Sequence, residues 1–179
     1  LNVEFDPRKD SVGDDYNNSY ERNYGNNDIT GPDAEHGTHV AGIVGAVRNN
    51  NLGINGVADN VKIMAIRTVP DGDERDKDVA NSIRYAVDNG AKILNMSFGK
   101  AYSWDKKAVD EAIQYAVSKG ALLVHAAGND AKNTEKEDNF PNRLFQDSTG
   151  RTMGTASAWI EVGASSWKNT EDLVATFSN

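Results

Sequence analysis

The chain has 179 residues, no cysteine and a formal charge of −8, from 27 acidic and 19 basic side chains. That length suits one domain with a hydrophobic core, or part of a larger one. The missing cysteine excludes disulfide frameworks, thiolate nucleophiles and cysteine-ligated zinc; the acidic balance argues against a nucleic-acid partner; and no apolar run reaches the ~18–20 residues that span a bilayer.

Leu1 opens the chain without an initiator methionine or a basic–apolar leader, the pattern expected of a segment cut from a longer protein. Residues 1–35 are rich in Asn, Asp, Gly and Tyr and read as a loop or surface arm. From Thr38 to Val47 the run THVAGIVGAV is apolar nearly all round, which predicts a helix buried in a larger core. VKIMAIRTV, residues 61–69, reads as a short buried strand. Residues 76–90 place Val79, Ile83, Ala86 and Val87 on one helical face and stop at Asn-Gly. Residues 91–99 predict a strand, 105–120 an amphipathic helix ending Lys-Gly, 121–129 a second strand and 156–164 another.

Strand and helix in alternation predict an α/β fold, a mostly parallel central sheet with helices on both faces as a three-layer sandwich. Ligands of such sheets sit at the carboxyl ends of strands, where Ser97-Phe98-Gly99 and Gly128-Asn129 fall. The polar stretch 130–154 reads first as a solvated surface loop, with the border of an active cleft as the sharper alternative.

Four motifs carry the chemistry: HGTHVAGIVGA from His36, NNNLGINGVA from Asn49, LNMSFG from Leu94 and AAGND from Ala126. In this order and spacing they resemble the subtilisin-like serine proteases over about residues 33–179. The resemblance implies a partial catalytic domain over 1–179, incomplete at both ends, within a serine-type endopeptidase acting on peptides or proteins. It makes His36 the general base: a serine hydroxyl is a poor nucleophile until a neutral imidazole accepts its proton. At the start of a helix, the positive end of the dipole favours the neutral ring, and Thr38 is placed to cap that helix.

Asn129 matches the oxyanion-hole asparagine, whose amide donates to the oxygen that gains charge during attack. Ser97, Phe98 and Gly99 resemble the edge that pairs with an extended substrate backbone. With Ala126, Ala127 and Gly128 they wall the pocket for the residue before the scissile bond, and small residues there leave room for a large apolar group. His39 reads as a structural histidine and His125 as a core or half-buried one.

Asp6, Asp10, Asp14, Asp15 and Asp28 do not follow an apolar strand as the family's orienting aspartate does. Gly154-Thr155-Ala156-Ser157 imitates the nucleophile motif, but the strand-like WIEVGA follows it, so Ser157 is rejected. The resemblance therefore places the catalytic aspartate and serine outside residues 1–179, and the chain alone is expected to be inactive. A non-catalytic peptide-binding relative is the alternative reading.

No cofactor is expected and no metal site is assigned. Residues 47–58 resemble a family loop that can hold calcium through Asn50 and the carbonyls of Leu52 and Ile54, with a plain Asn/Gly turn as the other reading. A zinc pair of His36 and His39 lacks the His-Glu-x-x-His spacing. Export is what the family implies; oligomeric state is left open.

Overall fold

The computed structural model describes residues 5–69, 72 and 74–179. The chain divides into two compact units, one holding the residues up to Tyr24 together with Thr68–Asn179, the other Gly25–Arg67.

In the larger unit the amino-terminal arm is not a bare loop. Helix α1, Pro7–Val12, starts on Asp6, whose carboxylate accepts the Arg8 and Lys9 amides, and stops at Gly13 with φ +70°. Beyond it the buried Asp14 takes ion pairs from Arg8 Nε at 2.5 Å and from Lys77 Nζ. Lys77 also reaches Glu21 at 2.8 Å, and Arg8 reaches Asp78 at 2.9 Å. A composition rich in Asp and Asn hid this anchoring, because the partners lie some sixty residues away in the chain.

In the other unit, helix α2 spans Glu35–Gly45. Thr38 donates its amide to the Ala34 carbonyl inside the first turn, so it does not cap the helix. None of its residues is buried, against the expectation of a core helix. An apolar helix is enclosed only if neighbours surround it; here one side is covered, by the tail of the same unit. Gly56, Val57 and Ala58 donate to the carbonyls of Ala46, Ile43 and Val44, and Val61 and Ile63 lie beside Gly45. Residues 61–69 pair with no strand among the described residues, and Val61, Ile63 and Met64 are exposed. The buried-strand expectation is thus corrected: β-branched composition favours an extended backbone, but a strand needs a hydrogen-bonded neighbour.

Helix α3, Asp76–Asp88, buries Val79, Ile83 and Ala86 as its period predicts, together with Ala80, while Val87 stays half-buried. Strand β1, Ile93–Met96, precedes helix α4, Lys106–Ser118, which Asp105 caps by accepting the Ala108 amide at 3.2 Å. Strand β2, Leu122–Ala126, follows. Strands β3, Leu144–Gln146, and β4, Thr152–Thr155, form an antiparallel hairpin inside the stretch read as a loop. Asp147 closes its turn by accepting the Thr149 and Arg151 amides. Strand β5, Trp159–Val162, completes a parallel sheet of order β1-β2-β5.

Helices α3 and α4 pack against each other, and their buried side chains share a core with Leu94, Met96 and Leu123. Full burial of side chains such as Ile113 and Leu123 contributes about 1.5–3 kcal/mol each. Ile93, Ile160 and Val162 alternate onto the opposite sheet face and stay exposed. The parallel α/β architecture is as the sequence predicts.

Candidate active site

The carboxyl ends of β1 and β2 open on a recess of about 300 Å³. Ser97, Phe98 and Gly99 continue from β1, while Ala126, Gly128 and Asn129 continue from β2, and all six line it. Parallel pairing puts both strand ends on one side of the sheet, and Met96 lies level with His125. Ser97 Oγ is held by the Asn95 amide at 2.8 Å. Phe98 meets the ring of His125 edge-on at 6.4 Å. His125 is fully buried, as expected, with Nδ1 at 2.9 Å from Glu161 Oε1.

Gly128 has φ +111°, and a Cβ there would overlap the Asn179 carboxamide, so this turn requires glycine on both counts. The turn delivers Asn129 to the rim, where it is exposed and its side chain takes no hydrogen bond among the described residues of the unit. An uncommitted carboxamide at a cleft mouth is free to donate to an incoming oxygen.

Ala127 departs from its expected place. It is buried and does not face the recess; its carbonyl accepts from Asn139 Nδ2 and Asn179 Nδ2, both at 2.9 Å. The alternation of β2 carries on through Ala127 and turns it inward, a consequence of period two that the motif alone does not reveal.

The stretch 130–154 supplies the other wall, through Asp130, Lys132, Glu137, Asp138 and Asn139. The stretch is mostly exposed and also borders this recess, and these lining residues were not among the sequence candidates. The available signal was Asn139-Phe140-Pro141, an apolar pair inside a polar run. Phe140 exchanges backbone hydrogen bonds with Lys100 at 2.8 and 3.0 Å, stitching the stretch to the segment after Gly99.

His36 belongs to the other unit and occupies the second position of α2. Its imidazole is exposed and has no hydrogen-bond partner within that unit. The preceding loop is well fixed. Asp28 Oδ1 accepts the Gly31 and Thr30 amides and the Thr30 hydroxyl, and these bonds hold its carboxyl below the usual range. Arg67 spans the same loop by donating to the carbonyls of Thr30 and Asp33, both at 2.8 Å. His39 is exposed rather than packed, since α2 has no buried face.

A family model described as the subtilase family matches residues 2–179. The chain belongs to the subtilase family. Thermitase of Thermoactinomyces vulgaris is 43% identical over 107 residues, 59% of this chain and 37% of its own length. A thermophilic serine proteinase of Bacillus sp. strain AK1 is 42% identical over 103 residues, 57% of this chain and 25% of its own length. Among solved structures, a psychrophilic protease designated S41 superposes with a TM-score of 0.68 at 28% identity, covering 89% of this chain and 49% of that one. The chain thus spans half or less of the length of these relatives.

Ser157 lies at the bend between β4 and β5 and opens no helix, and Asp14 is sequestered by Lys77 and Arg8. The Asn50 carboxamide accepts the Leu52 amide at 2.9 Å, closing its own turn. Among the described residues no group of three or more His, Asp or Glu side chains is arranged to hold a metal, and no helix is long and apolar enough to cross a membrane.

Proposed function

We propose that the full-length protein carrying this chain is a serine-type endopeptidase in which His36 is the general base and Asn129 the oxyanion donor. The neutral imidazole of His36 takes the proton of the family's serine as its oxygen bonds to the scissile carbonyl carbon. The displaced carbonyl electron pair settles on oxygen, which accepts from the Asn129 amide. Collapse of that intermediate breaks the C–N bond, and the His36 imidazolium returns the proton to the leaving amine. Water repeats the cycle on the acyl-enzyme. Peptide or protein chains are the substrates, and no cofactor takes part.

The observation that carries this reading is the Asn129 carboxamide, unengaged at the rim of a recess whose other edge is Ser97–Gly99. The 179-residue chain alone is inactive on this reading, because none of its serines or aspartates stands in the family's nucleophile motif or orienting-aspartate turn. The Asn50 bond to Leu52 favours the plain turn over calcium at residues 47–58. Export is proposed from relatives such as the minor extracellular protease Epr of Bacillus subtilis, 32% identical over 147 residues, 82% of this chain and 20% of its own length.

Casein and a chromogenic peptide test the reading. The full-length protein should hydrolyse both, His36→Ala should abolish turnover, and the isolated chain should do nothing. Peptide binding by the full-length protein without hydrolysis would instead identify a non-catalytic module.

A further inference from the structure

The recess beside Asn129 differs in chemistry from what its small motif residues imply. Asn139 forms its floor. The Asn139 side-chain amide donates to the carbonyls of Ala126 at 3.0 Å and Ala127 at 2.9 Å. Both partners are acceptors, so the NH₂ group must face them and Oδ1 must face away. Oδ1 lies beside Gly99, where an added Cβ would overlap it, and it accepts no hydrogen bond among the described residues. The floor therefore presents a fixed, unused acceptor.

The walls add charge of one sign. Lys100 Nζ is occupied by Asp76 Oδ1 at 2.8 Å and by the Glu74 carbonyl at 2.7 Å. Lys132 Nζ stands 3.6 Å from Asp130 Oδ2. The two lysines are thus each offset by a carboxylate. Glu137 and Asp138 have no cation within ion-pair distance among the described residues, and the Asp138 carboxylate takes only the neutral Asn142 amide, at 3.3 Å. Two negative charges remain uncompensated around an acceptor floor.

We propose that this recess takes a lysine or arginine side chain as the residue immediately before the scissile bond, with Asn139 Oδ1 receiving its N–H donors and Glu137 and Asp138 its charge. The assignment rests on the peptidase reading for its place in the substrate. It replaces the large apolar group expected from Ser97–Gly99 with Ala126, Ala127 and Gly128. An apolar occupant would strip water from Oδ1 and return no hydrogen bond. An acidic one would meet two like charges. A guanidinium offers five donors and an ammonium three, on a stem long enough to lie along Ala126 and Gly128.

Two measurements test the assignment separately from the reading beneath it. Fluorescein-labelled tetrapeptides differing only in a final Arg, Lys, Phe or Glu are titrated into the 179-residue chain at low ionic strength. The Arg and Lys peptides should bind about 10-fold more tightly than the Phe peptide, and added salt should narrow the gap. The Glu137→Gln/Asp138→Asn variant should remove most of the preference, and Asn139→Gly should move it toward Phe. A Phe peptide that binds as well as Arg, or four peptides that fail to bind, overturns the assignment. The second measurement profiles peptide-library cleavage by the full-length protein. Cleavage after Lys and Arg supports it, whereas cleavage mainly after Phe or Leu refutes it and leaves the peptidase reading standing. Arg-selective binding without any cleavage keeps the preference of the recess for a basic side chain but overturns the peptidase reading and, with it, the place before a scissile bond.

Discussion

Asn129 and Asn139 are the same residue type put to opposite uses within one recess. Asn139 spends both amide protons on backbone carbonyls and becomes part of the wall, while the Asn129 amide meets no acceptor among the described residues. Replacing Asn129 with Leu in the full-length protein should therefore lower kcat while KM stays nearly constant, since the bond forms only as the oxyanion develops. The loss should be about 10²–10³-fold, the size that removing such a donor has in subtilisin, a member of this family. Steady-state kinetics on a chromogenic peptide measures it, and an unchanged kcat would remove Asn129 from the mechanism. His125 shows that a histidine in the same neighbourhood is structural. It is clasped by Glu161, tilted against Trp159 at 5.3 Å, and its Nε2 has no partner among the described residues.

Elements here are held by contacts that a helical or strand period does not encode. Gly56 is pressed so close to the carboxyl end of α2 that a Cβ would overlap the Ala46 amide. Gly56→Ala should destabilise the 25–67 unit by about 1–3 kcal/mol, through forced backbone displacement. Loss of amide-exchange protection at Ala46, Val57 and Ala58 would report it; unchanged protection would refute the close-approach argument. In the larger unit Lys77 joins α3 to the amino-terminal arm. Lys77→Met should cost about 3 kcal/mol, because Asp14 stays buried with one of its two cations gone. Thermal unfolding measures this, and a loss below that of an ordinary surface change would count against the pairing.

The same cluster sets a pH dependence. Burial by itself raises the Asp14 carboxyl, but Lys77 and Arg8 outweigh burial and hold it below the ordinary value of 3.8. A carboxylate depressed on folding adds stability above its unfolded pKa, and that stability is lost as pH falls through the folded value. Stability should be level above about pH 4 and decline below it. The decline should be shallower in Asp14→Asn, as followed by acid titration of the circular dichroism signal.

At the scale of the molecule, the exposed sheet face and the net charge act in opposite directions. Ile93, Ile160 and Val162 are 65%, 47% and 49% exposed on the side of the sheet away from α3 and α4, an apolar area of the kind that drives association. The charge of −8 opposes association and is screened by salt. The isolated chain should therefore self-associate as salt is raised, and Ile160→Lys should shift it toward monomer in sedimentation. A monomer at all salt concentrations would show that this face does not stick.

Family, parallel α/β architecture and the motif residues around the recess were legible in the residue order alone. Helices α3 and α4 declare themselves by period, and the motif residues follow each strand within a few positions, so local chain geometry suffices to place them. Tertiary structure alone decided the rest: the Asp14–Lys77 anchor, the exposure of α2, and the Asn139 floor with its two acidic neighbours. Each depends on groups distant in the chain meeting across space, and neither period nor local propensity carries information about such meetings. Whether residues 61–69 become a strand is the plainest case, because a backbone extended by its β-branched side chains still needs another chain segment to accept its hydrogen bonds.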